Sequence, residues 1–429
     1  MPSNSKKLGC KIQLTANKVQ FPKFVSYNNA IMKKIILSIS ILVLSTSILF
    51  AQKFNKKILT VSLDQYAKET IIPAFAVVGL EKSGNEFYYT HGNAIWSENT
   101  ALNSNNIYRI FSMTKAIATV GVMQLVEQKK VTLDESLEKW LPEMLAITVL
   151  HDDGSLQKAK TGITLRQLLT HTAGFAYSFN NQKLADFKKP ADWPHKDYPR
   201  VFESGTRFYY GTSIDWVGRL IEKISGMDLE NYLKKNVTGP LGMTRTFFVV
   251  PDSLQNQIVS IGALVKGAMP KINELPNDRI QKIKPTSYNA GGGLFSTPHD
   301  YAQFIKMILN GGSYRGTMIL KPETIDMMFQ NQMGELFTEP LDNVKGQSIV
   351  DTQTNWGDRD KWGLAWAIDQ EGRAGVRSPG AAYWSGAANT FYSIDRKKGK
   401  AVITFTNFWP FGNKYATDLH YKAEELIYK

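Results

Sequence analysis

The sequence predicts an α+β fold: an antiparallel sheet built from both chain ends, flanked by helices and interrupted by a mostly helical insertion. Strand patterns occur at 74–94, become sparse from about 131 to 284, and return at 363–405 ahead of an amphipathic helical pattern at 416–428. On this division residues 52–130 and 285–429 form the sheet domain and 131–284 the helical one.

Of the 429 residues 43% are hydrophobic and 21% charged, enough apolar material for a large core. A disordered, collagen-like or multi-pass membrane chain is excluded. The formal charge of +13 suggests a nucleic-acid partner until it is divided along the chain. Residues 1–51 hold seven lysines and no acid, and beyond them 44 basic residues face 38 acidic ones without a basic block. No nucleic-acid partner is expected. The single cysteine, Cys10, also lies in that leader, so disulfides, zinc-thiolate sites and a cysteine nucleophile are ruled out for a chain starting near residue 52.

Met32, Lys33 and Lys34 precede a 17-residue apolar run over 35–51, which reads as a signal peptide at 32–51. The run is short for a spanning helix, so cleavage without stable membrane insertion is expected. Residues 1–31 are polar and patternless and read as an extension upstream of a true start at Met32. No cysteine ends the apolar run, which argues against a lipoprotein anchor. A periplasmic or secreted mature chain follows.

Within that chain, 74–81 and 86–94 read as strands joined at Lys82-Ser83-Gly84-Asn85, a hairpin signal. After Ser112, the positions of Ile117, Val120, Val122, Leu125 and Val126 predict a helix that ends at Gln128-Lys129-Lys130. Helical patterns follow at 133–141, 164–170 and 214–224, the last stopped by Ser225-Gly226. Thr297-Pro298-His299-Asp300 supplies an N-cap, a proline at N1 and an acid at N3, so a helix starts there. Strands are expected at 363–368, 383–394 and 401–405, then the helix at 416–428.

Ser112-Met113-Thr114-Lys115 is a Ser-x-x-Lys pattern, and at i and i+3 on a helix a hydroxyl and an amine share one face. A serine opening a helix also lies beside unpaired backbone N–H groups at the positive end of the dipole. The pattern occurs four times, at Ser3/Lys6, Ser112/Lys115, Ser136/Lys139 and Ser155/Lys158. Ser112 alone follows an apolar strand-like run and opens an apolar helix, which singles it out among the four, with a simple helix N-cap as the alternative role on this motif alone. The six histidines show no ligand spacing, so neither a metal nor another cofactor is expected. His171, in Leu168-Leu169-Thr170-His171-Thr172-Ala173-Gly174, reads as part of a helix end and turn rather than as a catalytic base. Gly291-Gly292-Gly293 lacks a following Gly-Lys-Ser/Thr and reads as a tight turn rather than a phosphate loop.

Taken in order, Ser112/Lys115, the 168–175 segment, Gly205-Thr206-Arg207-Phe208-Tyr209-Tyr210-Gly211 and Gly291-Gly292-Gly293-Leu294-Phe295-Ser296-Thr297 make the chain resemble the serine β-lactamase/DD-peptidase superfamily. It is most similar there to class C β-lactamases and family VIII carboxylesterases, from about residue 60 to the C-terminus. The resemblance implies a β-lactamase/DD-peptidase-like fold, a nucleophile Ser112, a lysine partner Lys115 and a second-motif tyrosine Tyr210. Class C enzymes carry Tyr-x-Asn where this chain has Tyr210-Gly211-Thr212, which weakens β-lactam side-chain recognition at Thr212. A literal Lys160-Thr161-Gly162 precedes Tyr210 and is a decoy. The third motif is instead expected at Trp384-Ser385-Gly386, as in Trp-x-Gly esterases, so Trp384 removes the cation that meets a substrate carboxylate. Arg373 or Arg377 is the available replacement from a nearby loop.

Neutralising Lys115 at pH 7 requires a drop of about three pKa units, roughly 4 kcal/mol, whereas a Tyr210 phenolate beside a charged Lys115 is mutually stabilising. The pair is expected to share a proton and titrate as a unit. The implied oxyanion hole is the backbone N–H of Ser112 and of Ala387, each worth on the order of 3 kcal/mol. Tyr177, with Phe179 and Trp193, is a candidate pocket wall. The expected activity is that of a secreted serine carboxylesterase on small uncharged esters. The alternatives are a β-lactamase, DD-peptidase or D-amino-acid peptidase acting on amides, and a non-catalytic penicillin-binding sensor or cell-wall binding module.

Overall fold

The computed structural model describes residues 54–193, 195–276, 285, 287–341, 344–345, 351 and 360–429. The extension and signal peptide read over 1–31 and 32–51 lie outside the described residues. Seven strands form the main sheet: β1 (Phe75–Glu81), β2 (Glu86–His91), β3 (Lys361–Trp362), β4 (Ala367–Ile368), β5 (Ala382–Gly386), β6 (Thr390–Asp395) and β7 (Lys400–Phe405). Their order is β3-β4-β5-β6-β7-β1-β2, with every neighbour antiparallel. The N-terminal hairpin thus pairs directly with the C-terminal strands, with Ala76 opposite Phe405 and Glu81 opposite Lys400. A sheet drawn from both ends is the expected α+β arrangement.

Strand β1, one in from the edge strand β2, is buried along its whole length, so both faces of the sheet must be covered there. One face takes α1 (Lys56–Glu69) through Leu59 and Leu63, and α5 (Lys414–Tyr428) through Leu419, Ala423 and Ile427. The other face takes α4 (Pro298–Leu309) through Tyr301, Phe304, Ile305 and Ile308. Beneath that layer runs α2 (Thr114–Glu127), buried on nearly every side and packed against α3 (Ser213–Ser225). Gly226 stops α3 in the left-handed conformation at φ 70°, and Thr164 with Gln167 forms a capping box on the short helix Leu165–Leu169.

Several expectations are corrected. The 383–394 run is a hairpin rather than one strand: Asn389 turns at φ 65°, and its side-chain amide donates to the carbonyls of Phe408 and Pro410. Of the 363–368 run only Ala367–Ile368 is strand; 363–366 turn the chain back onto Lys361–Trp362, a strand that precedes the run. The helix expected over 133–141 is a single 3-10 turn, Leu137–Lys139, because Ser136 caps it locally through Glu138 N–H and Pro142 follows. A small sheet missed in the helical region pairs Gly262–Val265 with Lys271–Glu274 and with Phe408–Trp409. Among the described residues no helix is long and apolar enough to cross a membrane.

Candidate active site

Ser112 does not open the α-helix itself. It occupies a 3-10 turn, Phe111–Met113, entered through Phe111 at φ 43°, and α2 begins two residues later. An aromatic residue in the left-handed region is strained, and such strain is sustained where the surroundings over-determine the backbone. Three contacts do so here. Ile110 N–H donates to the Leu294 carbonyl (3.1 Å), Leu294 N–H to Thr114 Oγ1 (3.1 Å), and Tyr301 Oη to the Met113 carbonyl (3.1 Å). Gly386 completes the frame, since a Cβ there would lie 2.2 Å from the Ile110 carbonyl oxygen. The end of β5 therefore presses against the residue preceding the Ser112 turn, and Ala387 follows at the start of the hairpin turn.

The Ser112 hydroxyl caps nothing and accepts a hydrogen bond from Lys115 Nζ at 3.3 Å. Lys115 is 2% exposed and also donates to Tyr177 Oη at 3.1 Å and to the Gly291 carbonyl at 2.6 Å. Its ammonium stands 4.8 Å from the centroid of the Tyr210 ring, whose side chain it also hydrogen-bonds. Burial pushes the lysine pKa down, but the oxygens of Tyr177, Tyr210 and Asp215 outweigh it and hold the pKa above its ordinary value. Lys115 is thus an ammonium at neutral pH rather than a neutral base. Burial holds the Tyr177 phenol above its ordinary range, with the Lys115 charge opposing, so it stays protonated.

Tyr210 comes from the loop before α3, and its oxygen accepts from the Trp384 indole Nε1–H at 3.3 Å. Trp384 is 3% exposed, with ring centroids 4.8 Å from Tyr210 and 4.4 Å from Trp362. An uncharged donor thus faces the second-motif tyrosine. Asn180, fully buried, ties the two tyrosine loops together, accepting from Tyr177 N–H (3.2 Å) and donating to the Tyr210 carbonyl (3.1 Å).

The expected substitutes for the missing cation lie elsewhere. Arg373 pairs with Glu424 and Glu425, and Arg377 with Asp369 and Glu424, which commits both to the anchoring of α5. Ser385 is buried on the sheet face opposite Trp384 and Gly386, as strand alternation requires. Thr212 is the N-cap position of α3, without a side-chain cap bond, and lines a cavity of about 350 Å³ with Phe175, Tyr198, Asp215 and Tyr288. Lys160-Thr161-Gly162 is a loop held by Glu203 and Ser204. His171 is buried at φ 57° beside Tyr210 and accepts from Gly211 N–H at 3.5 Å. Burial, with the Lys115 charge adding to it, keeps it neutral.

Tyr177, read as a pocket wall, is a direct partner of Lys115, although it also stacks on Phe179 at 4.7 Å. Gly291, read as a turn, accepts from Lys115 Nζ at 2.6 Å through its carbonyl. Nothing in their sequence neighbourhoods signals these roles, because the partners lie 62 and 176 residues from the lysine.

A serine, a lysine and two tyrosines thus converge near the end of β5 of the antiparallel sheet. The chain belongs to the Beta-lactamase family, whose model matches residues 64–426. Monacolin J acid methylbutanoyltransferase of Aspergillus terreus is 29% identical over 352 residues, covering 75% of this chain and 81% of that protein. Lovastatin esterase of Penicillium rubens is 28% identical over 320 residues, covering 68% and 77%. Among solved structures, unliganded simvastatin synthase LovD from Aspergillus terreus aligns with a TM-score of 0.74 at 26% identity, covering 86% of this chain and 98% of that one. EstCE1, a hydrolase with promiscuous acyltransferase activity, shares the fold with a TM-score of 0.65 at 21% identity, covering 86% and 97%.

Proposed function

We propose that this protein is a serine carboxylesterase acting on small uncharged esters through an acyl-enzyme on Ser112. The observation that carries the reading is the Ser112-Lys115-Tyr210 cluster, with the Trp384 indole on the tyrosine oxygen where a lactamase places a cation. In the reactive form the shared proton resides on Lys115 and Tyr210 is the phenolate. Ser112 Oγ attacks the ester carbonyl while its proton passes to Tyr210, and the tetrahedral oxyanion rests on the backbone N–H groups of Ser112 and Ala387. Tyr210 returns the proton to the departing alcohol, and water then cleaves the acyl-enzyme by the same route. Lys115 keeps its charge throughout and offsets the negative charge at each stage.

The test is kcat/KM of residues 52–429 on a short-chain nitrophenyl ester and on a chromogenic cephalosporin, with Ser112→Ala as control. The ester is expected to win by orders of magnitude and the variant to be dead. A cephalosporin preference would instead make the chain a β-lactamase with an unusual third motif. Tyr210→Phe is expected to lose about 10²- to 10⁴-fold in kcat. Full turnover in that variant would remove the tyrosine from the mechanism.

A second reading, transfer of the acyl group to an alcohol instead of water, is favoured by the acyltransferase names of relatives at 27–29% identity. Adding a small alcohol during ester turnover distinguishes the two by the ratio of new ester to free acid. On its leader, the mature chain is proposed to act outside the cytoplasm, and N-terminal sequencing of the processed protein tests that assignment.

A further inference from the structure

We propose that Asp215 is a positioning residue for the nucleophile's lysine, acting through the peptide groups of Gly291. Asp215 lies in the first turn of α3, five residues after Tyr210, and its Oδ1 accepts from Gly291 N–H at 2.9 Å. The carbonyl of the same residue accepts from Lys115 Nζ at 2.6 Å. The Gly291 N–H is thereby oriented by a carboxylate while its C=O, in the next peptide group, grips the ammonium. Charge-assisted bonds at both ends are stronger than neutral ones and polarise the chain between them. Asn289 supports the arrangement, donating from Nδ2 to Asp215 Oδ2 at 3.5 Å, while its carbonyl accepts the N–H groups of Gly292 and Gly293.

Glycine at 291 follows from this contact. A Cβ built there would lie 2.2 Å from Asp215 Oδ1, so any side chain expels the carboxylate. Among the described residues the groups that act most on Lys115 are Tyr177, Tyr210 and Asp215, with neutral His171 beside them, so Asp215 is the one acid among them. Burial holds the Asp215 pKa above its ordinary value, against the charge of Lys115, the Gly291 N–H and Arg219, which favour the carboxylate; Arg219 is itself paired with Asp197 at 2.9 Å. Asp215 lines the 350 Å³ cavity beside Thr212. Its negative charge therefore holds the ammonium electrostatically, and its geometry holds it through the backbone.

This role presupposes Ser112 as nucleophile and Lys115 as its ammonium partner. The experiment compares wild type, Ser112→Ala, Asp215→Asn and Gly291→Ala on a nitrophenyl ester near neutral pH, with thermal melts to confirm folding. Asp215→Asn keeps an acceptor for Gly291 N–H but loses the charge. It is expected to lower kcat about ten- to a hundredfold with KM within about twofold. Gly291→Ala should show the same fall in kcat at unchanged KM, because it displaces the carboxylate. A folded Asp215→Asn with wild-type kcat, or with its loss carried by KM, overturns the inference. Activity surviving in Ser112→Ala overturns the underlying functional reading instead, so the two failures are distinguishable.

Discussion

Replacing Trp384 with phenylalanine tests what the third motif does. The change deletes one N–H donor, the 3.3 Å bond from Nε1 to Tyr210 Oη, while leaving an aromatic ring against Tyr210 and Trp362. If Tyr210 oxygen carries negative charge when Ser112 is attacked or expelled, the lost bond is one to a charged group, worth about 1.5–3 kcal/mol. That corresponds to a fall in kcat of about ten- to 150-fold. A bond to a permanently neutral phenol is worth about 1 kcal/mol and is lost equally from ground and transition states, leaving kcat nearly unchanged. The smaller ring also leaves a void, but the stability cost should stay below the roughly 3–5 kcal/mol of truncating a buried tryptophan to alanine. Steady-state kinetics on a nitrophenyl ester, with urea denaturation of the same samples, separate the two effects. A variant of reduced stability with kcat within about twofold of wild type would refute charge development at Tyr210 and with it the proton route.

Three further outcomes are expected. Tyr177→Phe removes an acceptor from Lys115 but leaves Ser112 Oγ and the Gly291 carbonyl, so kcat should fall by about tenfold, less than in Tyr210→Phe, as steady-state kinetics will show. Gly211→Ala places a Cβ 2.1 Å from the Phe175 carbonyl oxygen, where both neighbours are backbone. It should cost about 1–3 kcal/mol by urea melts, together with most of the activity, because the loops carrying Tyr177 and Tyr210 must separate. His420, buried and bonded to Thr404 Oγ1, has its pKa lowered to about 4 by burial, with Arg377 and Arg373 adding to the shift against Glu424. The folded pKa lies below the unfolded one near 6.5, so its contribution is complete above about pH 6.5 and is lost as pH falls towards 4. The loss is about 3 kcal/mol, with neutral His171 contributing in the same direction, and His420→Gln should flatten stability against pH between 7 and 4.5.

Local physics wrote part of this protein directly into its sequence. Ser112 and Lys115 meet because three residues along a helical turn bring two side chains to one face. The stop at Gly226 and the N-cap at Thr297 depend on neighbours within four residues, and both were legible. The ordered motifs likewise pointed to the superfamily and to Tyr210. The divided sheet was legible too, because its strand patterns stand at both ends of the chain.

Tertiary structure alone decided the rest. The 383–394 run reads as one strand because its alternation continues through the turn, and the hairpin is set by Asn389 bonding to carbonyls about twenty residues on. The Trp384–Tyr210 bond joins residues 174 apart, Lys115 meets Gly291 across 176, and Asp215 reaches Gly291 across 76. Arg373 and Arg377, equally plausible as substrate cations from the sequence, are committed to Glu424, because a fully buried carboxylate on α5 needs positive partners. Helical and strand periods specify which face a residue occupies, whereas the distant group that face meets is chosen by packing of the whole core. The Ser112–Lys115 pairing was therefore readable in one dimension, and its electrostatic surroundings only in three.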